Sequence, residues 1–105
     1  MTSLAEARRL ALALPEVVEA DHHGKPSFRV AGTIFATLWD DGHMNVMLDE
    51  AGILTAVEAL PEACAEVWWG KRLSAVRVTL AGVDAEALGE LLADAWERRA
   101  PKRLL

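Results

Sequence analysis

Leu4, Ala7, Leu10, Ala11 and Leu14 recur three and four residues apart, the spacing that places side chains on one face of an α-helix. Ser3 with Glu6 three positions on forms a capping box, and Pro15 is a stop, so the pattern predicts a helix over residues 3–14. The period then shortens to two. Val17, Val18 and Ala20 predict a short strand near a sheet edge, with Glu19 and Asp21 on the pleat opposite Val18 and Ala20. Gly24 and Pro26 interrupt it in a Gly-Lys-Pro turn, and Ser27 to Val30 resumes it, with Phe28 and Val30 on one face and Arg29 on the other. Ala31-Gly32 is a two-residue hairpin connection into a return strand from Thr33 to Trp39. There Ile34, Ala36 and Leu38 oppose Phe35 and Trp39, so apolar residues occupy both faces and predict a central strand.

Asp40-Asp41-Gly42 turns the chain into His43 to Leu48, where Met44, Val46 and Leu48 alternate with His43, Asn45 and Met47, completing a meander. Asp49 caps a helix that begins near Glu50, carries Ile53, Val57 and Leu60 inward and ends at Pro61, with Gly52 costing about 1 kcal/mol relative to alanine. Residues 61–66 read as a connection and Gly70-Lys71-Arg72 as an exposed turn. Leu73 to Leu80 follows as a strand, with Ser74, Val76, Val78 and Leu80 on one side and Ala75, Arg77 and Thr79 on the other. Asp84 caps the last helix, with Val83 placed to staple onto Leu88. That helix carries Leu88, Leu91, Leu92, Ala95 and Trp96 at helical spacing, Arg98 and Arg99 at its negative end, and Pro101 as its stop. The order is helix, three or four strands, helix, strand, helix. It predicts one α+β domain over residues 1–105, a mostly antiparallel sheet with helices packed on one face.

Composition narrows the setting. A chain of 105 residues, half apolar and a quarter charged, fits a single folded domain. The lone Cys64 has no internal disulfide partner and no zinc-like Cys/His spacing accompanies it, which predicts a reducing, cytoplasmic environment. No export signal opens the chain and no apolar run approaches the ~20 residues of a membrane span, so no membrane partner is expected. The net charge of −5 opposes sequence-independent binding to phosphate. The charge is uneven, however: residues 1–66 hold four bases against eleven acids, and residues 67–105 hold seven against five.

Four pieces of the chain, in order, carry a resemblance. They are the helix ending at Leu14-Pro15, the run His23-Gly24-Lys25-Pro26-Ser27-Phe28-Arg29-Val30 leading through Gly32 into Ile34-Phe35-Ala36, Trp69-Gly70-Lys71 before a valine-rich strand, and Ala95-Trp96 with Pro101-Lys102-Arg103. Together they resemble the MmcQ/YjbR family of small bacterial proteins over nearly the whole chain. The resemblance implies a frataxin-like (CyaY-like) α+β fold. Members are commonly labelled DNA-binding from a double-wing likeness of the fold, so it also implies a DNA-binding role. It implies no catalytic residues.

The candidate contacts for nucleic acid or another anion are Lys25 and Arg29 in the opening hairpin and Lys71, Arg72 and Arg77 in the last strand and its turn, with Trp69 available to stack on a base. Lys102 and Arg103 lie in the tail. The competing expectation for Trp68 and Trp69 is burial in the core. His22-His23, with Asp21, His43 or Asp41, forms the only metal-like grouping, and adjacent strand residues point to opposite faces, so no metal is assigned. A frataxin-like iron ridge is not expected, since the first helix has only Glu6 as an acid. Nothing places Cys64 beside His22 or His43 as a nucleophile and base, so neither catalysis nor a cofactor is expected. The partners this reading admits are DNA, or an anionic small molecule or protein segment on the same rim of His23, Lys25, Arg29, Trp69 and Arg77. The chain itself is a monomer or a homodimer, paired through an exposed strand or through Trp39 and Met47.

Overall fold

In the computed structural model, which describes all residues from Met1 to Leu105, six strands hydrogen-bond into one sheet. They are β1 (Val17–His22), β2 (Lys25–Val30), β3 (Thr33–Asp40), β4 (His43–Val46), β5 (Cys64–Trp69) and β6 (Arg72–Thr79), and they lie side by side in the order β1-β2-β3-β4-β6-β5. Every neighbouring pair is antiparallel. β1 is an edge and β3 is interior, as the hydrophobic pattern predicts.

Three helices cover one face: α1 (Leu4–Leu12), α2 (Glu50–Ala59) and α3 (Ala85–Arg99). Each starts at a polar cap. Ser3 and Glu6 exchange hydrogen bonds of 3.1 Å, Asp49 accepts from the Gly52 amide at 2.8 Å, and Asp84 accepts from the Ala87 amide at 2.8 Å. α3 packs on α1, β3 and β4, while α2 packs on β5 and β6. Phe28, Val46, Val78, Leu88 and Leu92, all fully buried, are the bulk of the layer between. Trp96 ties α3 to the end of α1 by donating its indole N–H to the Pro15 carbonyl at 3.0 Å. No helix is long and apolar enough to cross a membrane.

Five local expectations change. Residues 61–66 are not simply a connection, because Cys64 to Trp69 pairs along β6 and becomes an edge strand. Its own sequence carries little alternation, and strand conformation there comes from the partner. The first hairpin turns at His23-Gly24 rather than at Gly-Lys-Pro, with φ of 53° and 83° as a type I′ turn requires. Pro26 lies within β2, just before the first β2–β3 pair at Ser27 and Thr37, where a missing N–H breaks no ladder.

In β3 a register shift opposite Phe28 and Arg29 inserts Phe35 as an extra residue, so Phe35 joins Ala36 and Leu38 in the core. In β6 the pairs Val67–Ala75 and Trp68–Leu73 leave Ser74 unpaired, which turns Leu73 toward the core instead of alternating with Ser74 as expected. Leu80 leaves the strand for a short 3₁₀ turn, Leu80–Gly82, whose Leu80 carbonyl accepts from the Thr2 amide at 3.0 Å.

Candidate functional site on the open face of the sheet

Side chains alternate across a sheet, so residues paired in register share a face. Ala20, Ser27, Thr37, Asn45, Arg77 and Ala65 form one such row from β1 to β5, on the face without helices. Ser27, Thr37 and Asn45 are nonetheless buried. Long side chains of the same face cover them. Arg29 donates through Nε to Ser27 Oγ at 3.1 Å and through its terminal nitrogen to the Asp21 carbonyl at 3.2 Å, while Ser27 donates to the Ala20 carbonyl at 2.8 Å. Arg77 donates through Nε to Asn45 Oδ1 at 2.9 Å.

Trp39 is the centre of this face. It is the extra residue of a second bulge, between the pairs Leu38–Met44 and Asp40–His43, and 40% of it remains exposed. The Arg77 guanidinium lies 4.4 Å from its ring centroid and the Lys25 ammonium 4.5 Å, with Lys25 Nζ also donating to the Trp39 carbonyl at 2.7 Å. The indole is thus flanked by two cations, each also fixed by one hydrogen bond.

A groove of about 820 Å³ runs along this face, from His22, His23 and Trp39 at one end to Trp69 and Arg99 at the other. Lys25, Arg29 and Arg99 line it, and no carboxylate does, although the whole chain carries a net charge of −5. The His22 and His23 rings meet edge to face, 4.5 Å between centroids, at the tip of the first hairpin. A second cavity of about 730 Å³ adjoins the groove across Trp69 and Arg99 and is walled by Lys71, Arg72 and Arg98. Arg99 Nε is buried there without a hydrogen-bond partner. Burial, then the neighbouring Arg98 and Arg72 charges, hold the Arg99 pKa below its ordinary value.

The structure therefore gathers Lys25, Arg29 and Trp69 on the groove, seats Arg77 behind it against Trp39 and Asn45, and sends Lys71 and Arg72 to the adjoining cavity. Trp68 and Trp69 are not core residues: they are 52% and 56% exposed, and Trp68 donates to Glu66 Oε1 at 2.9 Å. Met47 is buried and offers no dimer surface. Cys64 is buried too, and burial pushes its thiol pKa up, away from a reactive thiolate. Asn45, central to the groove, stands out in the sequence only as a member of an alternating strand, and Trp39 only as an apolar residue of a central strand and a candidate dimer contact. Arg98 and Arg99 suit a helix C-terminus so well that their sequence context hides any further role.

A family model described as YjbR matches residues 12–98. The crystal structure of Deinococcus radiodurans protein DR2400, with a domain described as DUF419, aligns with a TM-score of 0.80. The alignment covers 100% of this chain and 83% of that one at 23% identity, a likeness of fold. No curated protein matches the chain.

Proposed function

The chain belongs to the YjbR family, and from that premise we propose that it is a non-enzymatic DNA-binding protein which holds a single-stranded segment across the open face of its sheet. The observation that carries the reading is the segregation of charge: a groove lined by cations, histidines and tryptophans, without a carboxylate, in an acidic protein. Exposed aromatic rings beside cations suit single strands, whose bases are free to stack while Lys and Arg meet the phosphates. A duplex hides its base faces, and the acidic remainder of the surface repels its denser charge. In this reading Trp69 receives a base, Lys25 and Arg29 meet phosphates along the groove, Lys71 and Arg72 meet them where the strand leaves it, and Arg77 holds Trp39 in place.

A second reading has support from the groove's size. At about 820 Å³ it lies within the range of small-molecule sites, and an anionic aromatic compound would use the same residues. Fluorescence anisotropy separates the two. A labelled single strand should bind more tightly than its duplex at about 50 mM salt, with log K falling by about 0.7 per phosphate contact for each tenfold rise in salt. Lys25→Glu and Arg29→Glu should each weaken it. No single-strand binding at that salt would end the DNA reading, and full competition by a mononucleotide at the oligonucleotide's own affinity would favour the small molecule.

A further inference from the structure

Where the turn between β5 and β6 meets the start of α2 and the end of α3, four cations surround one cavity: Lys71, Arg72, Arg98 and Arg99. None of the four takes part in an ion pair. Two carboxylates, Asp49 and Glu50, stand on the same wall, but Asp49 is engaged in capping α2 through the Gly52 amide. Arg98 makes one long hydrogen bond, 3.5 Å to the Met47 carbonyl, and Arg99 Nε is the protein's one buried side-chain polar atom with no partner. Folding has confined like charges here and left guanidinium donors unused. That arrangement costs stability in the free protein and is relieved by an anion.

We infer that this cavity is a binding site for a phosphomonoester dianion. Four cations against two carboxylates leave a balance of +2, and a phosphomonoester carries about −1.5 to −2 at neutral pH, whereas a backbone diester carries one charge. The guanidinium fork of arginine matches two phosphate oxygens at once. Trp69 and Arg99 line both this cavity and the groove, so a phosphate held here sits at the groove's end. For a bound strand it is the terminal phosphate; a free phosphomonoester presents the same group. Only the strand-end source rests on the DNA-binding reading.

The test titrates inorganic phosphate into the full chain by calorimetry. In parallel, anisotropy compares one labelled oligonucleotide bearing a 5′-phosphate, a 3′-phosphate or two hydroxyl ends. Saturable phosphate binding is expected, weakened at least tenfold by Arg72→Ala and by Arg98→Ala, both exposed positions, and unchanged by Lys102→Ala in the tail. Affinity should fall between about pH 7.5 and 5.5, as the second phosphate ionisation is lost. No histidine lines the cavity to cause such a fall from the protein side. Absence of saturable binding overturns the inference, and equal losses in all three variants would mean an adventitious ion only. If phosphate binds and one phosphorylated oligonucleotide binds at least tenfold tighter than its hydroxyl twin, the ligand is a strand end. If phosphate binds and the three oligonucleotides bind alike, the pocket stands and its ligand is a free phosphomonoester. Phosphate binding with no oligonucleotide binding refutes the strand reading alone.

Discussion

Removing Arg77 tests whether the open face is a built structure or a loose set of surface side chains. Arg77 links β6 to a buried amide on β4 and to an indole on β3: Nε lies 2.9 Å from Asn45 Oδ1, and the guanidinium lies 4.4 Å from the Trp39 ring centroid. A hydrogen bond from a charged donor contributes about 1.5–3 kcal/mol where water is excluded; on this half-open face about 1 kcal/mol is appropriate, since water reaches the amide once the side chain is gone. The cation–π contact at an exposed ring adds about 0.5–1 kcal/mol. Arg77→Ala should therefore cost about 1.5–2 kcal/mol, a fall of about 6–10 °C in Tm for a domain of this size. Thermal denaturation followed by circular dichroism reads it directly. A double-mutant cycle with Trp39→Ala should return a coupling of about 0.5–1 kcal/mol. A Tm within about 2 °C of the parent would correspond to under about 0.5 kcal/mol and refute the reasoning, as would a coupling of zero.

Trp69→Ala should weaken single-strand binding by about 1–3 kcal/mol in the anisotropy assay while leaving duplex binding little changed, and equal losses for both would remove Trp69 as a stacking platform. Ala31 stands in the left-handed region at φ 50° in a two-residue turn before Gly32. Ala31→Asn should therefore raise stability by about 0.5–1 kcal/mol in urea denaturation, and a loss would show that the turn is not strained. Glu16, Asp40 and Glu6 are held below the ordinary carboxylate range by Arg103, by His43 and the Gly42 amide, and by Ser3 respectively. Depressed carboxylates stabilise the fold above their unfolded values and lose that contribution as pH falls through the folded ones, so the urea midpoint should decline below about pH 4. Asp40→Asn should flatten that decline, and an unchanged acid limb would contradict it. Cys64, buried with a raised thiol pKa, should resist Ellman's reagent at about pH 8 until urea unfolds the chain, and rapid native labelling would place it at the surface.

The sequence by itself determines the three helices with their caps, the first hairpin's two strands, the interior position of β3 and the α+β class, because each rests on local periodicity and turn chemistry. The same locality makes Lys25 and Arg29 legible as residues facing away from the core. It does not reach the order β4-β6-β5, in which β6 is inserted beside β4. That order brings Arg77 into register with Asn45 and so onto Trp39. Nor does it reach the bulges at Phe35, Trp39 and Ser74, since one extra residue reverses which side chains face the core and only the partner strand shows where it falls. The strand character of Cys64–Trp69 is likewise lent by β6. Arg98 and Arg99 read as the basic end of a helix until α3 is docked with that end against the turn carrying Lys71 and Arg72. Local energies choose the elements. Contacts between residues far apart in the chain, which no short window contains, choose how the sheet is assembled and therefore where its charges meet.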